Sequence, residues 1–145
     1  MSRRVSFVEE PIRHFECEGK RVLDLRPCGV PFVPILSVSN PPMAQQGPSS
    51  LHVHRGCVEI VYCVRGANFH FETPERDYPF LPGTVFVSRE DEPHRLSFNP
   101  SGHFVYRILV TLPKRGTCFR GADAIESRWL RRSLLKLPRS FRAKG

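Results

Sequence analysis

Between residues 20 and 112 short apolar runs alternate with clusters of proline, glycine and charged residues, and seven runs read as β-strands: 20–25, 32–38, 57–64, 68–72, 84–88, 94–98 and 104–112. Their enrichment in Val, Ile, Phe and Leu, closed each time by turn residues, predicts a β-rich body of many short strands. Three polar stretches between them read as loops: NPPMAQQGPSS at 40–50, TPERDYP at 73–79 and REDEP at 89–93. There is no internal repeat of fixed period.

The period changes after Pro113. In GADAIESRWLRRSLLKLP, Asp123 stands three residues before Glu126 as a capping arrangement, helix formers follow, and Pro138 ends the segment, which predicts one C-terminal helix. Leu130, Leu134 and Leu137 recur at i, i+4 and i+7 and share one stripe, while Ile125 and Trp129 face elsewhere. Two apolar faces predict two packing partners. The β body can take both, or the leucine stripe can meet its copy in a homodimer, which makes Leu130, Leu134 and Leu137 the candidate dimer interface. For Trp129, packing of the helix on the body is favoured over closing the end of a sugar pocket.

Composition narrows the class. With 145 residues, 40% apolar and 25% charged, the chain fits one globular domain and matches neither a disordered nor a membrane protein. No run approaches the roughly 18 apolar residues of a spanning helix, and the N-terminal stretch has no apolar region of the secretory kind, so a cytoplasmic protein without a membrane partner is expected. The five cysteines are odd in number and form no C-x-x-C pair, which argues against a zinc ribbon or a disulfide framework. The net charge of +8 is confined to one end: residues 1–112 hold twelve Lys/Arg and twelve Asp/Glu, residues 113–145 ten and two. Arg128, Arg131, Arg132 and Lys136 gather on one side of the predicted helix, away from the leucines, and read as its solvated face.

Candidate chemistry concentrates in HVHRGCVEIVYCVRG, residues 52–66. On an extended strand His52 and His54 project to the same side, so their imidazoles can converge. Glu59 lies an odd number of positions from His54 and shares the site only if Arg55 and Gly56 make a bend. One face of the strand that follows carries Cys57, Glu59, Val61 and Cys63; the two cysteines read as small core residues more readily than as pocket groups. A carboxylate among apolar neighbours requires a positive partner, since an unpaired buried charge costs several kcal/mol. His94 opens a later strand whose alternate members Leu96 and Phe98 can share its inward face. His52, His54, Glu59 and His94 thus form a candidate ligand set, for a small molecule directly or for one divalent transition metal: iron, manganese, nickel, copper or zinc.

These residues resemble a known pattern. HVHRGCVEIVYCVRG is similar to the first motif of the cupin superfamily, H-x-H, four residues, E, six residues, G, and PGTVFVSREDEPHRLSFN resembles the second, with Pro82, Gly83 and His94 in step. The resemblance implies a cupin-like double-stranded β-helix, a jelly-roll barrel, followed by a C-terminal helical segment. Residues 49–141, with the basic helix included, are further similar to the effector-binding and dimerisation domain of AraC-type transcriptional regulators. That narrower likeness implies a barrel body at 1–112 that senses a small polar effector, a sugar being one guess. It also implies a basic dimerisation or linker segment at 113–145, and contact with DNA only through a helix-turn-helix domain absent from this chain. The favoured expectation is therefore a sensor domain that is not an enzyme, and the alternative is a small metal-dependent cupin enzyme, a dioxygenase or isomerase.

Overall fold

The computed structural model describes residues 8–9, 15–17, 20–29, 32–33, 35–39, 50–66, 69–97, 103–114 and 116–143; the loop expected at 40–50 lies outside them except for Ser50. The elements in chain order are β1 (Val8–Glu9), β2 (Phe15–Cys17), β3 (Lys20–Asp24), β4 (Ile35–Ser39), β5 (His52–Val53), β6 (Cys57–Arg65), β7 (Phe69–Glu72), β8 (Asp77–Phe80), β9 (Thr84–Val87), β10 (Arg95–Leu96), β11 (Phe104–Thr111), α1 (Ala124–Lys136) and β12 (Ser140–Arg142). Each expected strand has a counterpart. The expected loop at 73–79 instead ends in β8, where Tyr78 and Phe80 are buried and Asp77 and Pro79 are exposed.

A seven-stranded sheet runs β12-β9-β6-β11-β4-β3-β2, and a three-stranded sheet runs β10-β7-β8. The pair β1-β5 is joined to the smaller sheet by an antiparallel bridge between His52 and His94. The two layers enclose Val61, Cys63, Phe71, Tyr78, Phe80, Phe86, Leu96 and Val105. Phe71 and Phe86 stack with ring centroids 4.1 Å apart and planes 2° from parallel, which closes the interior beside His94. This is the mainly β jelly roll with a C-terminal helix that the sequence predicts.

A second cluster lies on the outer face of the large sheet. Val58, Val85, Val87, Leu112 and Phe119 are buried there, and Leu130, Leu134 and Leu137 of the helical segment pack on them, with Leu135 and Phe141. This contact within one chain partly buries the leucine stripe. The helix begins at a complete capping box in which the Asp123 carboxylate accepts from the amides of Ile125 and Glu126 while Glu126 reaches back to the Asp123 amide. After Pro138 the chain adds β12 to the edge of the large sheet beside β9, so the end of the described chain is built onto the barrel. Trp129, 64% exposed, does not pack beneath the helix as expected; it borders an open groove with Phe32 and Phe119 that no residue of the histidine cluster lines. No helix among the described residues is long and apolar enough to cross a membrane.

Candidate metal centre

The sequence must bring the even-numbered His52 and His54 and the odd-numbered Glu59 to one interior. A turn at Arg55 and Gly56 does so: the Cys57 amide donates to the His54 carbonyl at 3.2 Å, and Gly56 adopts φ +66°, a conformation in which a side chain is strained. The Gly56 amide donates to the Asp91 carboxylate at 2.8 Å, which ties this turn to the loop before His94. Asp91 itself has φ +57°, tolerated because a short polar side chain can bond locally in that region. Beyond the turn, Cys57, Glu59, Val61 and Cys63 all face inward and are buried. Cys57 and Cys63 are core residues whose thiols burial pushes up, that of Cys63 to about 11.

His94 arrives from the facing strand. Its amide donates to the His52 carbonyl at 2.9 Å and its carbonyl accepts from the His52 amide at 3.0 Å, so the two histidines lie directly opposite across a strand pair. The ring centroids of His52, His54 and His94 are 4.8 to 5.8 Å apart. One ligand atom from each of His52, His54, Glu59 and His94 lies within 4.8 Å of every other, and all four residues are buried. Sequence spacing alone thus identified a set that the fold does bring together.

Two rings are oriented by backbone. Nδ1 of His52 lies 2.8 Å from the Ser50 carbonyl and Nδ1 of His94 lies 2.8 Å from that of Glu92. A carbonyl only accepts, so each Nδ1 carries a proton and each Nε2 would be the atom that ligates a metal, the arrangement by which proteins fix histidine ligands. The loop bearing Glu92 is itself clamped: Arg139 pairs with Glu92, Arg131 reaches Glu90 at 2.9 Å, and Arg89 donates to the Leu137 carbonyl at 2.7 Å. The segment after Pro113 therefore holds the loop that aims His94.

Glu59 has two partners, His94, which the sequence reading placed beside it, and Arg107, which it did not name. Oε2 lies 2.5 Å from His94 Nε2, and Oε1 lies 2.5 Å from Nε of Arg107 on β11. In the register of β6 and β11, Glu59 faces Leu109 and Val61 faces Arg107, so Glu59 and Arg107 are diagonal neighbours on one face. Alternation in FVYRILVT, with Val105 and Leu109 inward, was the signal that placed Arg107 inside.

Burial by itself would push the Glu59 carboxyl up, but the charges of Arg107 and then His94, with the His94 hydrogen bond, hold it well below the usual carboxylate range. For His94 burial would lower the pKa, and the Glu59 charge and hydrogen bond, with the Glu92 carbonyl, raise it above the ordinary value. The depressed Glu59 contributes stability above its unfolded pKa near 4.5 that is lost as pH falls through the folded value; the raised His94 contributes stability below its unfolded pKa near 6.5 that is lost as pH rises through the folded value. Both contributions are complete between those two values. Urea midpoints of the metal-free protein are therefore expected to be highest between pH 4.5 and 6.5 and to decline on the alkaline side, with the alkaline decline reduced in His94→Gln.

Three imidazoles and a carboxylate, buried and converging, suit one divalent transition metal of the borderline class, with His52, His54, Glu59 and His94 as its ligands. No protein-family model matches the chain, and no curated protein matches it by sequence. Among solved structures it is similar to a predicted oxalate decarboxylase of Thermotoga maritima, with 22% identity, TM-score 0.53, and 64% of this chain and 79% of that one covered. It is also similar to the ectoine synthase of P. lautus, with 16% identity, TM-score 0.50, and 94% and 84% covered. The chain has the cupin fold. A third cupin match, the Bacillus subtilis oxalate decarboxylase whose Mn(II) centres have been characterised, has 14% identity and TM-score 0.51, with 91% of this chain spanning 40% of that one. The expectation of a protein that is not an enzyme is corrected here: the matched cupins are named for enzymatic activities, and the buried cluster is a metal-type site of the kind the alternative requires.

Proposed function

We propose that this chain is a small metal-dependent cupin enzyme acting on a small polar substrate. The observation that carries the reading is the buried set of His52, His54, Glu59 and His94, whose ligand atoms lie within 4.8 Å of one another. His52, His54, Glu59 and His94 would hold the ion, which would supply Lewis-acid polarisation of a substrate oxygen. The chain does the rest. The Ser50 and Glu92 carbonyls orient two rings, Arg107 holds Glu59, and Phe71 and Phe86 wall off water beside His94. In this reading residues 1–112 form the catalytic body and 113–145 its buttress.

Dioxygenase and isomerase chemistry were the classes expected of such a site; the names of the matched proteins add decarboxylase and synthase activities. Effector sensing by an AraC-type regulator, with its sugar, homodimer and DNA partners, rests on the sequence resemblance alone. The test is metal content. Protein expressed with iron, manganese, nickel, copper or zinc and freed of loosely held ions is expected to retain about one ion per chain by elemental analysis. Its thermal midpoint should fall on chelation, since an ion a thousandfold above its dissociation constant stabilises by about 4 kcal/mol. A chain that retains none under any of these conditions is not this enzyme.

A further inference from the structure

We infer that Arg139 is a positioning residue of the metal centre: from outside the ligand set it fixes, through Glu92, the direction of the His94 ring and with it the affinity for the ion. The inference rests on the reading of the four buried residues as a metal site and gives that site a control in the C-terminal segment.

The contacts between that segment and the loop before His94 differ in what they can transmit. Arg131 and Glu90 pair at 2.9 Å with their side chains 36% and 34% exposed, an ion pair that solvent screens and that holds a loop weakly. Arg139 and Glu92 pair with their side chains only 18% and 15% exposed. Glu92 is also the residue whose carbonyl accepts from Nδ1 of His94 at 2.8 Å. The same carboxylate oxygen that meets Arg139 accepts from the Arg89 amide at 2.8 Å, and the Glu92 amide donates to the Arg89 carbonyl at 3.2 Å. One oxygen thus joins both ends of the 89–92 turn to Arg139. Of the cations that the segment sends to this loop, Arg139 is the one whose partner bonds a ligand ring.

Arg139 is itself fixed. Its carbonyl accepts from the Val87 amide at 2.9 Å, and the next residue opens β12, with Ser140 opposite Phe86 of β9. Its guanidinium carbon lies 5.4 Å from the ring centroid of Tyr78 and 5.7 Å from that of Phe86, the ring that stacks on Phe71 beside His94. A planar guanidinium on aromatic faces holds a carboxylate in a set direction; lysine would keep the charge and lose the fork. An outer partner that orients a histidine ligand typically contributes 10-fold to 100-fold in metal affinity. Arg139 acts one contact further out, so the lower end, about 10-fold, is expected. The coupling is reciprocal, and a bound ion tightens the hold of this segment on the barrel by the same factor.

The experiment titrates the full chain with Zn(II) against a competing chelator. Arg139→Met is expected to lower zinc affinity by about 10-fold, Arg139→Lys by less, and Arg131→Met, which removes the exposed pair on the same loop, by less than about 2-fold. In a His94→Gln background, Arg139→Met is expected to add less than about 2-fold, because its effect travels through that ring. A loss below about 5-fold in folded Arg139→Met, an equal loss in Arg131→Met, or an undiminished loss in the His94→Gln background overturns the inference and leaves the metal reading standing. If Arg139→Met does not fold, Glu92→Gln decides, since it keeps the carbonyl on His94 and removes the countercharge: a loss of at least about 5-fold supports the inference and a smaller one overturns it. Where iron, manganese, nickel or copper is held in place of zinc, that ion is the titrant. A wild type that holds none of the five overturns the metal reading, and the inference with it.

Discussion

Replacing Glu59 by glutamine lowers the stability of the metal-free protein by about 3–5 kcal/mol, a cost of the size seen when one partner of a buried ion pair is removed. The magnitude follows from what is left behind. Glu59 is fully buried, with Arg107 on one carboxylate oxygen and His94 on the other. A neutral amide leaves the Arg107 guanidinium, which stays charged at any working pH, without a countercharge in the barrel interior. His94 escapes by losing its proton, so the larger part of the cost falls on Arg107. The double substitution Glu59→Gln with Arg107→Met removes both charges and is expected to recover much of the loss, because an apolar replacement of a whole buried pair is often neutral. Urea unfolding of the metal-free proteins at one pH measures both. A single variant within about 1 kcal/mol of wild type would mean that water reaches this pair and that Glu59 is not buried as described.

Which parts of this site were legible in the sequence follows from the range of the interactions that built them. His52, His54 and Glu59 sit within eight residues, and the parity mismatch between His54 and Glu59 demanded a turn that Gly56 does provide. His94 could be placed because its strand carries its own alternation. Arg107 was passed over because nothing in its own strand names its partner, and only the pairing of β11 with β6, a contact between distant segments, gives it Glu59 as neighbour. Strand β8 was hidden by Pro79, which is acceptable there because β8 is the outer strand of its sheet. Strand β12 is three residues long and gains its stability from β9, nothing in Ser140–Arg142 itself being decisive. The leucine stripe illustrates the same limit: periodicity shows that a face must be covered, and tertiary structure decides by what. Here the cover is Val58, Val85, Val87, Leu112 and Phe119 of the same chain.

His54→Ala separates the two roles that Glu59 combines. His54 belongs to the ligand set, yet the hydrogen bond that holds Glu59 runs to His94 and its ion pair to Arg107, and both survive its removal. Its truncation leaves a buried gap of roughly ring size, for which a cost of about 2–4 kcal/mol is expected. Metal binding responds differently. A borderline divalent ion gains most of its affinity from the number of nitrogen and oxygen donors already aimed at it, and altering even an outer partner of such a ligand typically costs 10-fold to 100-fold. Loss of a direct ligand is therefore expected to lower metal affinity by more than about 100-fold, so that purified His54→Ala retains little metal by elemental analysis and its thermal midpoint no longer shifts on chelation. Folded protein with an unchanged metal complement in this variant would show that His54 is pocket lining and that the ion, where present, is held by the other three residues.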